Sequence, residues 1–297
     1  MAIKFYKYQA VGNDFVVIDN RKYNLSKYDQ NKWCLLSNRK MGIGADGVLL
    51  LETEPEGNNN NNNIDFKMVY LNSDGKEAEM CGNGARSITH FAHFILALKK
   101  ELKYTFKTAN GIYNSYISED ASEGIIKVEM TNITEQPEIE KLLNSNNDFK
   151  SYLKNDFTNA FFLNTGVPHL CLKVKSKKNL DELDLKKIAP FFRYHNIFSP
   201  NGTNVNFFTE PNDDGKIFVR TYERGVEDET LSCGTGAVAV ALSCKKLFSK
   251  WRDHSELRML SQGGELIVSF NNTSKEKIGN VFLGGAVEKV FEGTYYF

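Results

Sequence analysis

Short apolar runs, either alternating with polar residues or continuous, occur along the whole chain and predict a protein built mainly of β-strands. The predicted strands lie at residues 3–8, 15–19, 48–52, 64–71, 102–108, 111–117, 125–130, 160–163, 169–174, 205–209, 217–223, 257–259, 265–270 and 281–290. Helical periodicity is confined to residues 29–38, 81–99, 183–192 and 233–248. The pattern therefore favours a strand-rich α+β fold.

Two of the predicted helices, 81–99 and 233–248, are apolar on more than one face, and the second is apolar nearly all round from 237 to 244. A helix that is apolar on every side has to be enclosed by other elements. Because strands surround both helices in the sequence, each half of the chain is expected to form a mostly antiparallel, curved sheet or barrel around a central helix.

The two helices also open with nearly the same motif, Cys-Gly-x-Gly-Ala, at Cys81 and at Cys233. Tyr70 and Tyr222 each stand 11 residues before the cysteine, at the end of a predicted strand. A repeat over this distance indicates a duplicated structural unit. We expect two pseudo-symmetric domains, 1–131 and 132–280, with a final strand segment at 281–297 that joins the first domain.

Charge and cysteine usage narrow the class of protein. The 297 residues carry 37 basic and 37 acidic side chains, a balance that gives no electrostatic support for nucleic acid or an anionic membrane as partner. No apolar run is long enough to span a membrane, and charges interrupt the N-terminal segment where a signal peptide would need an apolar core. Five scattered cysteines without a Cys-x-x-Cys pair favour a reducing cytoplasm and argue against a structural zinc site.

Some conspicuous residues have an ordinary structural interpretation. His90 and His93 form a His-x-x-His pattern without further ligands at suitable spacing, so no metal site is expected. Cys34, Cys171 and Cys244 lack the glycine-rich frame and are interpreted as filler. The asparagine run at 58–63 is expected to be a mobile loop tip. Residues 175–178, Lys-Ser-Lys-Lys, are expected to form a solvated turn.

The duplicated motif predicts a chemistry. A thiol at a helix N-terminus faces unpaired N–H groups and the positive end of the helix dipole, which favour the thiolate. The adjoining glycines let the backbone approach an anion closely, and a carboxylate suits such a site. If one thiolate removes the α-proton of an amino acid while a second thiol protonates the opposite face, the α-carbon is inverted. No cofactor is required for this scheme.

The chain resembles the diaminopimelate epimerase family, whose members interconvert LL- and meso-2,6-diaminopimelate in lysine and peptidoglycan-precursor synthesis without pyridoxal phosphate. The resemblance runs nearly end to end. It rests on the segments that begin at Gly12, Gly42, Asn72, Met80, Gly166, Thr203, Tyr222 and Cys233, which read GNDFVVID, GIGADG, NSDG, MCGNGAR, GVPH, TNVNF, YERG and CGTGA.

The resemblance also implies roles for particular residues, and it implies a homodimer with a small-molecule amino-acid substrate. Cys81 and Cys233 match the catalytic thiol pair, and His169 and Glu223 match residues that position or deprotonate the thiols. Glu223 and Arg224 match the pair that holds the distal end of the substrate. The other matches to substrate-binding residues are Asn13, Asn72, Gly82, Asn83, Asn204, Gly234 and Thr235.

The chain departs from the family pattern at two positions, and three alternative functions remain open. Many family members carry Gln where this chain has Gly47, and Asn where it has Val167, so the fine geometry of substrate binding is open. A related racemase or epimerase acting on proline or hydroxyproline typically has His where this chain has Asn83, and lacks the 222–225 segment. An isomerase of the phenazine-biosynthesis type shares the fold but lacks the cysteine pair. A protein that switches by a Cys81–Cys233 disulfide is the non-enzymatic alternative.

Overall fold

The chain folds into two compact units, Met1–Glu129 with Gly284–Phe297, and Met130–Leu283. The computed structural model describes residues 1–54, 63–78, 80–118, 124–130, 133–147, 149, 157–271 and 280–297. The predicted boundary at residues 131 and 132, and residues 58–62 of the asparagine run, lie outside these ranges. Within them, no helix is both long and apolar enough to cross a membrane.

The first unit is a mixed, mainly antiparallel sheet in the order β18-β1-β2-β3-β4-β6-β7-β8, with the short β5 paired to β4. Among the pairs whose register the described residues give, β2–β3 and β4–β6 are parallel and the others antiparallel. The strands are β1 (Ala2–Ala10), β2 (Asn13–Asp19), β3 (Gly47–Glu52), β4 (Phe66–Asn72), β5 (Glu77–Ala78), β6 (Lys103–Thr108), β7 (Gly111–Ile117), β8 (Ile125–Met130) and β18 (Glu288–Tyr296).

Helix α2 (Gly82–His90) is the centre of the first unit's core. Its residues Ala85 and Ile88, with Phe91 and Ala92 just beyond it, pack against apolar side chains from β1, β2, β3, β4, β6, β7 and β8. Helix α1 (Gln30–Ser37) covers the opposite face of β2 and β3 through Trp33 and Leu36. Strands β2 and β3 are thus buried on both faces, which explains their continuous apolar sequences.

The second unit repeats this pairing pattern, so the predicted duplication is confirmed. Its sheet runs β9-β10-β11-β12-β13-β15-β16, with β14 on β13, and among these described pairs β11–β12 and β13–β15 are parallel. The strands are β9 (Ile133–Glu135), β10 (Phe157–Thr165), β11 (Pro168–Val174), β12 (Asn204–Phe208), β13 (Lys216–Glu223), β14 (Asp228–Thr230), β15 (Glu256–Ser261) and β16 (Gly264–Phe270). Strand β17 (Val281–Ala286) begins in the second unit and ends in the first.

Helix α6 (Gly234–Leu247) is the counterpart of α2, and every residue from Gly236 to Lys245 is buried. The enclosed helix predicted from the apolar run at 237–244 is therefore confirmed. In the described part of this unit, the helices α3 (Pro137–Ser145), α4 (Lys177–Glu182) and α5 (Leu185–Arg193) add an outer layer rich in phenylalanine. Each cysteine motif thus begins the central helix of one sheet.

Several predicted elements differ in detail. The helix expected over 81–99 ends earlier, because α2 passes into a π-helical turn at Phe91–Ile95 and Ala97 adopts a φ of 48°. The strand expected over 281–290 is divided at Val287 into β17 and β18. The solvated turn expected at 175–178 is wrong in part, since the Ser176 side chain accepts from Asn179 N and caps α4. The short strands β5, β9 and β14 and helix α3 were not predicted.

Candidate active site

Cys81 is the N-cap residue of α2, and its thiol sulfur accepts a hydrogen bond from the Gly84 amide at 3.4 Å. Cys81 itself has an extended backbone, with φ −130° and ψ 117°, as N-cap residues do. The side chain is partly exposed. The sulfur therefore lies at the positive end of a helix and already receives one backbone N–H, both of which favour the thiolate.

Asn83 and Asn13 are joined in a directional chain of amide hydrogen bonds beside Cys81. Asn83 Oδ1 accepts from Arg86 Nη2 at 2.8 Å, and Asn83 Nδ2 donates to Asn13 Oδ1. Asn13 Nδ2 then donates to Asp46 Oδ2 at 3.1 Å. Because every amide accepts from one neighbour and donates to the next, the orientation of both asparagine side chains is fixed.

The chain of amides ends in a network of charged side chains. Arg39 pairs with both oxygens of Asp14 at 2.7 and 2.9 Å and with Asp46 at 2.8 Å. Lys7 lies 2.7 Å from Asp14 and is nearly buried. Burial alone would raise the pKa of Asp14, but the hydrogen bonds from Arg39 and Lys7 outweigh it and hold that pKa well below its ordinary value. The network anchors the loop that carries Asp46 against β2.

Asn72 and Gly47 lie opposite each other on β4 and β3. Asn72 is exposed and begins the turn closed by the Gly75 amide, which donates to its carbonyl at 2.8 Å. A Cβ atom at Gly47 would lie 2.6 Å from both the Leu71 carbonyl oxygen and the Tyr70 ring. The backbone and ring thus leave no room for a side chain at position 47.

The Cys233 thiol occupies the same position on α6 as Cys81 does on α2, but its polar neighbours differ. Cys233 is the N-cap residue, with φ −129° and ψ 111°. Its sulfur lies 3.5 Å from Thr235 Oγ1, which in turn lies 2.9 Å from His169 Nε2. His169 is fully buried, and burial together with the nearby charge of Arg224 lowers its pKa to about 3. At neutral pH the imidazole is therefore uncharged.

Asn206 determines which nitrogen of His169 carries the proton. The Leu170 carbonyl can only accept, so the Asn206 group 3.1 Å from it is the NH₂, and the Asn206 oxygen accepts from Thr221 Oγ1 at 3.0 Å. The same NH₂ lies 3.1 Å from His169 Nδ1, which must accept. His169 Nε2 therefore donates to Thr235, whose hydroxyl proton is left to point at the Cys233 sulfur.

Glu223 and Arg224 lie at the turn between β13 and β14, and Asn204 holds this turn in place. Asn204 Oδ1 accepts from the Arg224 amide at 2.8 Å, while its NH₂ donates to the Pro168 carbonyl at 3.0 Å. Asn204, expected to contact substrate, is almost fully buried and ties the Arg224 backbone to β11. Both predicted distal-end residues are partly exposed.

Glu227 closes the same turn. Its carboxylate accepts from Arg193 Nη2 at 2.7 Å, from the Tyr194 hydroxyl at 2.7 Å and from the Gly225 amide at 3.0 Å. Burial alone would raise the pKa of Glu227, but these hydrogen bonds outweigh it and the pKa lies below its ordinary value. Glu227 carries a positive φ of 58°, which favours glycine, so the charged contacts compensate a strained backbone.

The remaining histidines and cysteines discussed above have contacts typical of structural residues. His90 and His93 each pair with a tyrosine hydroxyl, of Tyr8 at 3.2 Å and Tyr104 at 3.1 Å. In the described part of the chain no group of His, Cys, Asp and Glu side chains is arranged to hold a metal ion. Cys171 and Cys244 are fully buried, and burial raises the pKa of both thiols, that of Cys171 to about 12.

Sequence reasoning missed Asn206, Arg86 and Glu227. A usable signal existed for two of them. Asn206 stands between the apolar residues Val205 and Phe207 of a strand, and Arg86 is a charged residue in an enclosed helix; buried polar groups of this kind need a reason. Glu227 had no such signal, because a charged residue in a turn is ordinary.

Comparison with solved structures defines the class of fold. A phenazine biosynthesis protein of the PhzF family from Bacillus anthracis aligns over 100% of both chains with a TM-score of 0.73 and 16% identity. A probable proline racemase from Agrobacterium radiobacter aligns over 99% of this chain and 92% of its own, with a TM-score of 0.59 and 15% identity. At this identity the likeness shows the fold alone: a two-domain α+β fold with few helices.

Sequence comparison then identifies the family. The family model for diaminopimelate epimerase matches residues 5–135 and 161–290. The diaminopimelate epimerase of Flavobacterium psychrophilum is 39% identical over 98% of this chain and 100% of its own length, and that of Aquifex aeolicus is 37% identical over 98% and 97%. The chain belongs to the diaminopimelate epimerase family.

Proposed function

We propose that this protein is a diaminopimelate epimerase, which interconverts LL- and meso-2,6-diaminopimelate by exchanging a proton between two cysteines and the substrate α-carbon. The observation that carries the proposal is the placement of Cys81 and Cys233 as N-cap residues of matching central helices. Family membership supplies the substrate. The reaction belongs to lysine and peptidoglycan-precursor synthesis.

The proposed reaction needs a thiolate as base and a thiol as acid. One thiolate removes the α-proton, and the other thiol delivers its proton to the opposite face of the planar carbanion. Exchanging the two roles runs the reaction in the other direction. Helix N-terminal N–H groups, at Gly82 and Asn83 and at Gly234 and Thr235, would stabilise the charge that develops on the α-carboxylate.

The two thiols are activated differently in this proposal. The Cys81 sulfur accepts a hydrogen bond from the Gly84 amide. The Cys233 sulfur accepts a hydrogen bond from the Thr235 hydroxyl, and that hydroxyl accepts one from His169. The family role of His169 is to position or deprotonate a thiol; its low pKa and its contact with Thr235 support positioning. Glu223 is proposed to assist the other thiol.

Recognition of the distal end of the substrate is assigned to Glu223 and Arg224. A carboxylate suits the distal ammonium group, and a guanidinium suits bidentate binding of the distal carboxylate. Asn13, Asn72 and Asn83 are proposed to contact the substrate directly, whereas Asn204 acts by fixing Arg224. No cofactor is required. We also propose that the protein is a homodimer located in the cytoplasm.

A racemase acting on proline or hydroxyproline is the main alternative. Such an enzyme would have no use for a residue pair that recognises a second amino-acid end, and Glu223 and Arg224 sit on a turn held by Asn204, Arg193 and Glu227. The stabilised turn favours a substrate with two charged ends.

The test compares substrates under reducing conditions without added cofactor. The purified full-length protein is incubated with LL-diaminopimelate, L-proline or trans-4-hydroxy-L-proline, and the stereoisomers are separated by chiral chromatography. Conversion of LL-diaminopimelate alone is expected. Conversion of a proline substrate without conversion of diaminopimelate would replace the proposal by the alternative.

A further inference from the structure

Arg86 is a charged side chain in the middle of the first unit's apolar core. It is 0% exposed, and it lies on α2 with Ala85 and Ile88 of that core. Burying a cation is costly unless an anion and hydrogen-bond acceptors compensate it. The surroundings of Arg86 therefore require an explanation.

Within the described part of the chain, Arg86 is poorly compensated. Its Nη2 donates to Asn83 Oδ1 at 2.8 Å, whereas Nε and Nη1 are buried without a hydrogen-bond partner. No carboxylate of the described residues forms an ion pair with Arg86. For comparison, Arg220 of the second unit is held by both oxygens of Glu229 and by two carbonyls. Burial lowers the pKa of Arg86 to about 10, so the group is still charged at neutral pH.

The position of the guanidinium adds a second cost. Helical side chains lean toward the helix N-terminus, and the contact with Asn83 shows that Arg86 does so. Its charge thus lies near the first turn of α2, where the helix dipole is already positive. A cation here is unfavourable for the fold but favourable for an anion at the N-cap, where Cys81 is located.

Other ionisable groups that pack around α2 do not supply this effect. Tyr8 pairs with His90 at the far end of the helix, and Tyr70, Tyr104 and Tyr113 contribute rings to the same core. On the other side of Asn13, the carboxylates of Asp14 and Asp46 are paired with Lys7 and Arg39. Arg86 interacts electrostatically with Cys81, each favouring the charged form of the other.

We propose that Arg86 is a positioning residue for the Cys81 cluster, in which its buried guanidinium stabilises the Cys81 thiolate and orients the Asn83 and Asn13 amides. This inference rests on the proposed function, in which Cys81 is the base for one stereoisomer. The orienting role follows from the directional chain Arg86–Asn83–Asn13–Asp46. The poorly compensated charge lowers the stability of the fold and stabilises the thiolate, a trade-off that is common at functional sites.

The test measures the thiol directly, without substrate, so that it stands apart from the substrate assay. In the full-length protein carrying Cys233→Ser, the rate at which iodoacetamide alkylates Cys81 is followed against pH by peptide mass spectrometry, with exposed Cys34 as internal reference. The variants are Arg86→Met, Arg86→Gln and Arg86→Lys. Arg21→Met is the matched control, because it removes a cation paired with Asp19 elsewhere in the same unit.

The proposal expects the Cys81 pKa to rise by about 1 to 3 units in Arg86→Met and Arg86→Gln, and to change little in Arg86→Lys and Arg21→Met. It also expects the melting temperature of Arg86→Met to equal or exceed that of the parent. An unchanged thiol pKa in both neutral variants overturns the proposal, and so does an Arg86→Lys shift as large as that of Arg86→Gln. If Arg86→Met does not fold, Arg86→Gln and Arg86→Lys decide the same question.

Discussion

His169 Nε2 lies 2.9 Å from Thr235 Oγ1, and it is Thr235 that contacts the Cys233 sulfur. The histidine thus acts on the thiol through a hydroxyl group. Asn206 requires Nδ1 to accept, so the proton on Nε2 is directed outward along this path. The arrangement delivers a hydrogen bond to the sulfur and has no vacant imidazole nitrogen to receive the thiol proton.

Replacing Thr235 with Val should lower kcat/KM by about 10²-fold, because the Cys233 thiolate loses a hydrogen-bond donor of the kind whose removal has that effect in other sites. Thr235→Ser keeps the hydroxyl and is the matched control. The activity of both variants is measured against pH. The rate of Cys233 alkylation is also followed against pH, and the pKa of the Cys233 thiol should rise only in Thr235→Val. Equal activity of the Val and Ser variants would show that the hydroxyl has no part in the reaction.

Replacing His169 with Gln should reduce activity far less than removing a catalytic thiol. The Gln amide can donate to Thr235 but cannot act as a general base, whereas Cys233→Ala removes the reacting group. Because burial lowers the pKa of His169 to about 3, the wild-type pH profile should also lack a step from this residue between pH 5 and 8. Loss of activity in His169→Gln as complete as in Cys233→Ala would restore the general-base role.

The third residues of the two central helices should differ sharply in their tolerance of alanine. A Cβ at Gly236 would lie 2.4 Å from Asn206 Oδ1, while at Gly84 the nearest atom is the flexible Leu49 Cδ2 at 3.2 Å. Urea unfolding should show Gly236→Ala destabilised by about 1–3 kcal/mol. Gly84→Ala should change the free energy of unfolding by less than about 1 kcal/mol, because alanine favours the helix. The reverse order would contradict the packing described for Asn206.

Acid should destabilise the protein through the partly buried, neutral His90. Burial, with minor contributions from His93 and Lys289, lowers the pKa of His90 to about 4, below the unfolded value near 6.5. A depressed folded pKa means that the stabilisation is complete above pH 6.5 and is lost as the pH falls toward 4. From pH 7.5 to 5.0 this amounts to about 2 kcal/mol.

His90→Gln provides the test, since Gln can accept from the Tyr8 hydroxyl without titrating. The variant should lose about 2 kcal/mol less than the wild type between the two pH values in urea unfolding. Parallel losses in both proteins would mean that His90 does not contribute to acid sensitivity.

The repeated fold could be predicted from sequence because its signals are local. Cysteine motifs at matching positions, the enclosed run at 237–244 and the strand patterns all depend on neighbouring residues. Helix α3 and the cap of α4 were also encoded locally, by Pro137 at the first helical position with Ile139, Leu142 and Leu143 at helical spacing, and by Ser176 before α4.

The contacts around the cysteines could not be predicted in the same way. That Asn206 fixes His169, or that Arg86 orients Asn83, depends on side chains from strands and helices that the fold brings together. The resemblance to the family implied that Asn204 contacts substrate, but only the structure shows that its NH₂ donates to the Pro168 carbonyl and its oxygen accepts from the Arg224 amide. The sequence thus predicted candidate residues, and the structure adds the contacts that hold them in place.

The two-thiol mechanism is tested most directly by the location of deuterium at low conversion in D₂O. Starting from LL-diaminopimelate, the proposal predicts that newly formed meso-diaminopimelate carries deuterium at the inverted carbon, while the remaining LL-isomer stays unlabelled. This follows because the thiol that protonates the product exchanges with solvent, whereas the base returns the substrate's own proton. Equal labelling of both isomers from the earliest time points would indicate a single base and contradict the account.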